Sequence, residues 1–128
     1  MTKTMSKNNN LFLAFQNAFH GVRFVFTSER NAKIHLAIAV LVVVFSFILR
    51  ISTTEWCFIL FAIGFVWASE CLNTAVEKIT DLASPGYHGL AKLSKDTAAA
   101  GVLIASMTAA AIGLIVFLPK ILSFIDHL

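Results

Sequence analysis

From Leu11 to Thr27 the chain is rich in Phe and Leu, but Gln16, His20, Arg23 and Thr27 fall at i, i+4, i+7 and i+11 and draw a polar stripe along one side of a helix. A helix of that kind lies in a membrane interface, because a spanning one would place His20 and Arg23 in hydrocarbon. Ser28 reads as the N-cap of the next helix, with Glu29 in its first turn, where the helix dipole favours negative charge. Ile34 to Leu49 is then apolar apart from His35 and Ser46 and closes at Arg50, giving about 24 Å of helix and a short first span, residues 32–50. Ser52 and Glu55 have the S-x-x-E spacing of a capping box, and Trp56 follows as an interfacial anchor. The first loop is therefore tight and the helices it joins are antiparallel. The second span, residues 55–76, passes Phe58, Phe61, Phe65 and Trp67, and its helix continues through Ala75, Val76 and Ile79 until Pro85-Gly86 ends it. Thr97 to Leu118 carries no charge and ends at Pro119, giving a third span, residues 97–118. On it Gly101, Ala105, Ala109 and Gly113 recur at every fourth position, a spacing that lets membrane helices approach closely and predicts a packed interface.

Composition agrees with this pattern. Of the 128 residues 58% are hydrophobic and 13% charged, and the mean hydropathy is +0.81, outside the range of soluble domains. The predicted architecture is a single all-α membrane domain over residues 1–128, an N-terminal interfacial amphipathic helix at 11–27 followed by three transmembrane helices. The net charge of +3 is small and its basic residues gather at the ends of apolar segments, which excludes nucleic acid as a partner. Lys3, Lys7, Arg23, Arg30 and Lys33 precede the first span and Lys78, Lys92 and Lys95 lie between the second and third, whereas Arg50 and Lys120 lie on the other side. The positive-inside rule then gives a cytoplasmic N-terminus, a cytoplasmic 78–96 loop and an external C-terminus. Residues 1–10 are polar and expected to fray, and with no small-residue cleavage site after them the N-terminus reads as retained. Cys57 and Cys71 are about 21 Å apart along one helix, too far for a disulfide within the chain.

Chemistry concentrates between Ser69 and Asp96. Glu77 and Asp81 each project within about 20° of Glu70 on a helix, with Asn73 about 60° to one side, so an apolar helix carries one polar stripe. Measured from Trp56, Glu70 lies about 21 Å into a ~30 Å hydrocarbon core and Glu77 about 32 Å, at its boundary. The deep carboxylate is suited to proton transfer and the shallow one to holding a cation. An all-oxygen donor set without His or Cys favours a hard ion such as Mg²⁺ over zinc. Asp81, beside Lys78, reads as an ordinary solvated helix end, and His20, His35 and His88 read as interfacial polar residues rather than ligands.

The run ECLNTAVEKITDL, followed by YHGLAKLSKDTAAAGVLIA, closely resembles the prokaryotic diacylglycerol kinase family of small three-span membrane enzymes, whose hallmark is E-x-x-N-x-x-x-E with a K-D pair. TSERNAKIH, TTEW and GLIVFLPK resemble its undecaprenol kinase branch more than the diacylglycerol-specific one, and the resemblance covers Phe12 to Ile121. It implies a homotrimer in the bacterial cytoplasmic membrane that phosphorylates a lipid hydroxyl from ATP at the cytoplasmic face, in active sites shared between neighbouring subunits. Residue by residue, it implies that Glu70 is the general base, that Glu29 and Glu77 bind Mg²⁺ with the nucleotide, and that Asn73 orients the site. Lys95 and Asp96 are implied to contact nucleotide, Lys95 offsetting charge on the transferring phosphoryl group, with Tyr87 and His88 lining the pocket. The chain departs from the diacylglycerol-specific pattern at Gly86, where an acidic residue is usual before Tyr-His, and at Asn17, where an aromatic is usual. Undecaprenol is the first acceptor implied and diacylglycerol the second. A reading from another class makes the chain a non-enzymatic proton-relay or assembly subunit in which Glu70 passes protons and Lys95 and Asp96 are dispensable.

Overall fold

A computed structural model describes residues 11–126, which form four helices: α1 Leu11–Ser28, α2 Arg30–Ile48, α3 Thr53–Ala83 and α4 Gly89–Ile125. Lys3, Lys7 and the expected frayed end lie outside the described residues. Helices α2, α3 and α4 are each long and apolar enough to cross a membrane. In their most apolar windows only 11% of α2, 28% of α3 and 11% of α4 is buried within the chain, so these helices present their side chains to lipid or to other protein.

Glu29 alone separates α1 from α2, and it corrects the expected cap. Ser28 is the last residue of α1, its hydroxyl donating to the Phe24 carbonyl at 2.8 Å, while Glu29 takes the N-cap position in an extended conformation without a side-chain cap bond. A serine at a helix end can satisfy its hydroxyl on the preceding turn, and that bond has displaced the cap here. The C-terminal end of α1, where Val25 is buried, is held to α3 by Phe26, whose ring stacks on Trp67 with centroids 4.2 Å apart.

Helix α2 ends in a Schellman motif. Ile51 N–H donates to Ser46 O and Arg50 N–H to Phe47 O, both at 3.2 Å, with Arg50 at φ 48°. A left-handed residue with a Cβ costs roughly 1–2 kcal/mol. Burial of Ile51 with Ile59 and Val116 offsets it, Trp56, Ile112 and Phe117 packing around them. The capping box then opens α3: Ser52 N–H donates to Glu55 Oε2 at 2.6 Å and Glu55 N–H to Ser52 Oγ at 3.3 Å. Replacing Ser52 with Ala is expected to cost about 1 kcal/mol, read as a lower thermal midpoint with unchanged catalytic rate.

Helix α3 packs mainly against α4. Its buried stripe, Ile59, Ala62, Val66, Glu70 and Thr74, follows helical spacing, so Glu70 stands where a core aliphatic would. Opposite, Ala105 is fully buried, Ala109 and Gly113 line a cavity, and Gly101 is exposed, so the small-residue stripe is packed over only part of its length. Helix α4 also starts earlier and ends later than the apolar run, passing through Pro119. A proline inside a helix forfeits one backbone bond, and Lys120 Nζ anchors the following turn on Glu55 Oε2 at 3.1 Å.

Candidate active site

At the end of the bundle away from the Ile51 cluster, α1, α2 and α3 gather the carboxylates. Glu70 is 2% exposed. Glu29 and Glu77 lie close enough to act electrostatically on it, so the break between α1 and α2 and two turns of α3 deliver three acids to one region. Asn73 Nδ2 donates to Glu77 Oε1 at 3.3 Å, aligning one oxygen of that carboxylate. Asn73 Oδ1 and Thr74 Oγ1 are buried and lack hydrogen-bond partners. Glu29 is held loosely, its Oε1 3.8 Å from Lys78 Nζ, and that ammonium also sits 5.7 Å over the Phe24 ring. A contact the sequence reading missed completes the group. His35 Nε2, on α2, lies 3.0 Å from Glu70 Oε1.

The signal for that pair was present in the chain. His35 follows Glu29 by six residues and Glu70 precedes Glu77 by seven, so on antiparallel helices the pairs form two rungs about 10 Å apart. Reading His35 as a mere interfacial polar residue overlooked the register between helices.

The remaining candidates surround a second, polar cleft of about 420 Å³ at the α3–α4 turn, lined by Asp81, Tyr87, His88, Lys95 and Asp96 among others. Lys95 pairs with Asp81, and Lys92 Nζ binds Asp96 Oδ2 at 2.6 Å. Asp81 is thus an exposed group at the helix end, as expected, and it pairs with Lys95 across the turn rather than with its neighbour Lys78. Lys95 also senses Glu77, which joins the cleft to the carboxylate group. His88 caps α4, its Nδ1 accepting from Leu90 N–H at 3.2 Å, and Tyr87 is 90% exposed at the rim. Gly86 lines the same cleft, and a Cβ there would meet nothing within 4 Å, so the departure removes a carboxylate without closing space. Asn17 is exposed on α1. A further cavity, apolar and about 250 Å³, lies between α2, α3 and α4, with His35 in its wall.

Among the described residues no three His, Cys, Asp or Glu side chains converge as a metal cluster. Mg²⁺ in kinases takes one or two carboxylates and completes its shell from phosphate and water, so an oxygen-only pair with an orphaned amide oxygen nearby fits such an ion.

The pattern of the prokaryotic diacylglycerol kinase family matches residues 16–117, a stretch that contains every side chain of both groups. The chain belongs to this family. Among its relatives, the undecaprenol kinase of Bacillus subtilis is 38% identical over 113 residues, covering 88% of this chain and 92% of that one. The diacylglycerol kinase of Synechocystis sp. is 36% identical over 115 residues, covering 89% of this chain and 66% of the relative. As a member of the prokaryotic diacylglycerol kinase family the chain is a lipid kinase, a multi-pass membrane protein for which ATP is the implied phosphoryl donor. Family membership overturns the non-enzymatic proton-relay reading.

Proposed function

We propose that this chain phosphorylates undecaprenol, transferring the γ-phosphoryl group of ATP to the lipid hydroxyl. The observation that carries the site is the burial of Glu70, at 2% exposure, between helices long enough to span a membrane and beside two further carboxylates. An intramembrane acid of this kind marks a functional site. Glu70 takes the hydroxyl proton as the lipid oxygen bonds to the γ-phosphorus, and the bond from that phosphorus to the β–γ bridging oxygen breaks to release ADP. Glu29 and Glu77 would hold Mg²⁺, which when bound neutralises phosphate charge. Asn73 keeps Glu77 oriented, and Lys95, Asp96, Tyr87 and His88 receive the nucleotide in the polar cleft. Lys95 must leave Asp81 to face phosphate. Both ends of that ion pair are largely solvated, so the exchange costs little.

The same reading makes residues 1–128 one domain, with spans within 32–50, 55–76 and 97–118 and α1 lying amphipathically in the interface. Its N-terminus and active site face the cytoplasm of a bacterial membrane, its C-terminus lies outside, and three copies form a trimer with shared sites. Support for orientation is the gathering of Arg23, Arg30 and Lys33 around the α1–α2 break and of Lys78, Lys92 and Lys95 on the helix ends flanking the α3–α4 turn, against Arg50 and Lys120 at the other end. Support for assembly is the uncovered Gly101 and the exposed apolar flank of α4.

Choice of acceptor follows the Bacillus relative; the Synechocystis relative makes diacylglycerol the rival. Undecaprenol and diacylglycerol offered together in mixed micelles with Mg²⁺ and ATP are expected to yield mostly undecaprenyl phosphate. Mostly phosphatidic acid would reverse the assignment of acceptor, and phosphorylation of neither would reject the site.

A further inference from the structure

The roles set out above leave His35 unused, although its Nε2 stands 3.0 Å from Oε1 of the proposed base. We infer that His35 is a positioning residue for phosphoryl transfer: from α2 it engages Oε1 of Glu70, fixes the carboxylate plane, and leaves Oε2 to meet the acceptor hydroxyl. This rests on the reading of Glu70 as the base.

The physical need is clear from the surroundings. Glu70 is 2% exposed, so bulk water does not orient it, and Glu29 and Glu77 contribute negative charge that would turn its carboxylate away. Oε1 makes no aligned hydrogen bond, yet His35 Nε2 stands 3.0 Å from it. Nothing else on α2 could serve, because His35 is the sole polar residue between Lys33 and Ser46. Its position is also set by packing. The ring forms part of the wall of the apolar cavity between α2, α3 and α4, and the α2–α3 register brings it level with Glu70. A ring with two side-chain torsions, walled on one side, orients a carboxylate better than a long flexible lysine would.

A merely structural role predicts something different. If His35 only compensated buried charge, its loss would lower folded yield and thermal midpoint while folded molecules turned over normally. If it positions the base, folded molecules turn over slowly and bind ATP as before, since a reacting group misplaced by 1 Å costs about 10²-fold.

The test is steady-state kinetics of the full chain in mixed micelles, for wild type, His35→Leu, His35→Gln, Glu70→Gln and the double variant His35→Leu with Glu70→Gln. Folded fraction is followed by size exclusion and thermal unfolding. His35→Leu is expected to lower kcat about 10²-fold with KM for ATP unchanged. His35→Gln, whose amide N–H reaches the same oxygen, is expected to restore most of the rate. The double variant is expected to be no slower than Glu70→Gln, because a group that acts only through the base has nothing left to position. Losses that multiply in the double variant, or wild-type kcat in His35→Leu beside an inactive Glu70→Gln, would overturn the inference and leave the base assignment standing. Full activity of Glu70→Gln would remove the base reading and this inference with it. Should His35→Leu fail to fold, His35→Gln against the shorter His35→Asn carries the comparison, and equal rates for the two would count against positioning.

Discussion

Glu70→Gln is expected to lower kcat for lipid phosphorylation by about 10³-fold, within the range that loss of a general base costs, while ATP affinity stays near that of wild type. The substitution keeps volume and hydrogen-bonding shape in a site that is 2% exposed. It also removes one of three mutually repelling carboxylates, so the variant is expected to fold at least as well as wild type. The loss is therefore chemical, and it should appear in kcat for every lipid acceptor equally. Phosphate transfer followed in mixed micelles, with nucleotide binding measured separately, checks both parts. A variant that binds ATP weakly but turns over normally at saturation would place Glu70 in the nucleotide site instead.

Glu77→Gln is expected to show the opposite split. Asn73 Nδ2 donates to Glu77 Oε1, and a glutamine carbonyl can accept the same bond, so the local fold is retained while the charge proposed to hold Mg²⁺ is lost. The Mg²⁺ concentration giving half-maximal ATP binding is expected to rise by about 10- to 100-fold. Titration of nucleotide binding against Mg²⁺ measures it directly. Equal Mg²⁺-dependent ATP affinity in Glu70→Gln and Glu77→Gln would break the division between a deep base and a shallow cation site.

The separation of these two acids along α3, Glu70 buried and Glu77 half-buried, was legible in the chain because α3 is a long, uninterrupted helix, and along such a helix sequence distance is spatial distance. For the same reason the capping box at Ser52 and the turn at Pro85-Gly86 stand where local chemistry puts them. Local rules were weaker wherever two bonding options competed. Ser28 gave its hydroxyl to Phe24 instead of capping α2, and Arg50 adopted a left-handed turn that burial of Ile51 makes tolerable. His88 was expected to line a nucleotide pocket; it lines the polar cleft at the α3–α4 turn, with its Nδ1 engaged in capping α4. Asp81 was expected as a solvated helix end, and the fold of the turn decided that Lys95 would be its partner.

The order of elements, the three helices able to cross a membrane and the polar stripe of α3 all follow from patterns within single helices, since hydrophobic periodicity and caps act over a few residues. Relations between helices were decided by tertiary structure. His35 and Glu70 are 35 positions apart and meet because the tight α2–α3 turn sets an antiparallel register, and Glu29 joins them because a single extended residue breaks α1 from α2. Packing also divided the small-residue stripe of α4, burying Ala105 against the chain and leaving Gly101 open. A sequence records which side chains share a helix face, but which faces meet depends on the sum of turns, caps and packing along the whole chain.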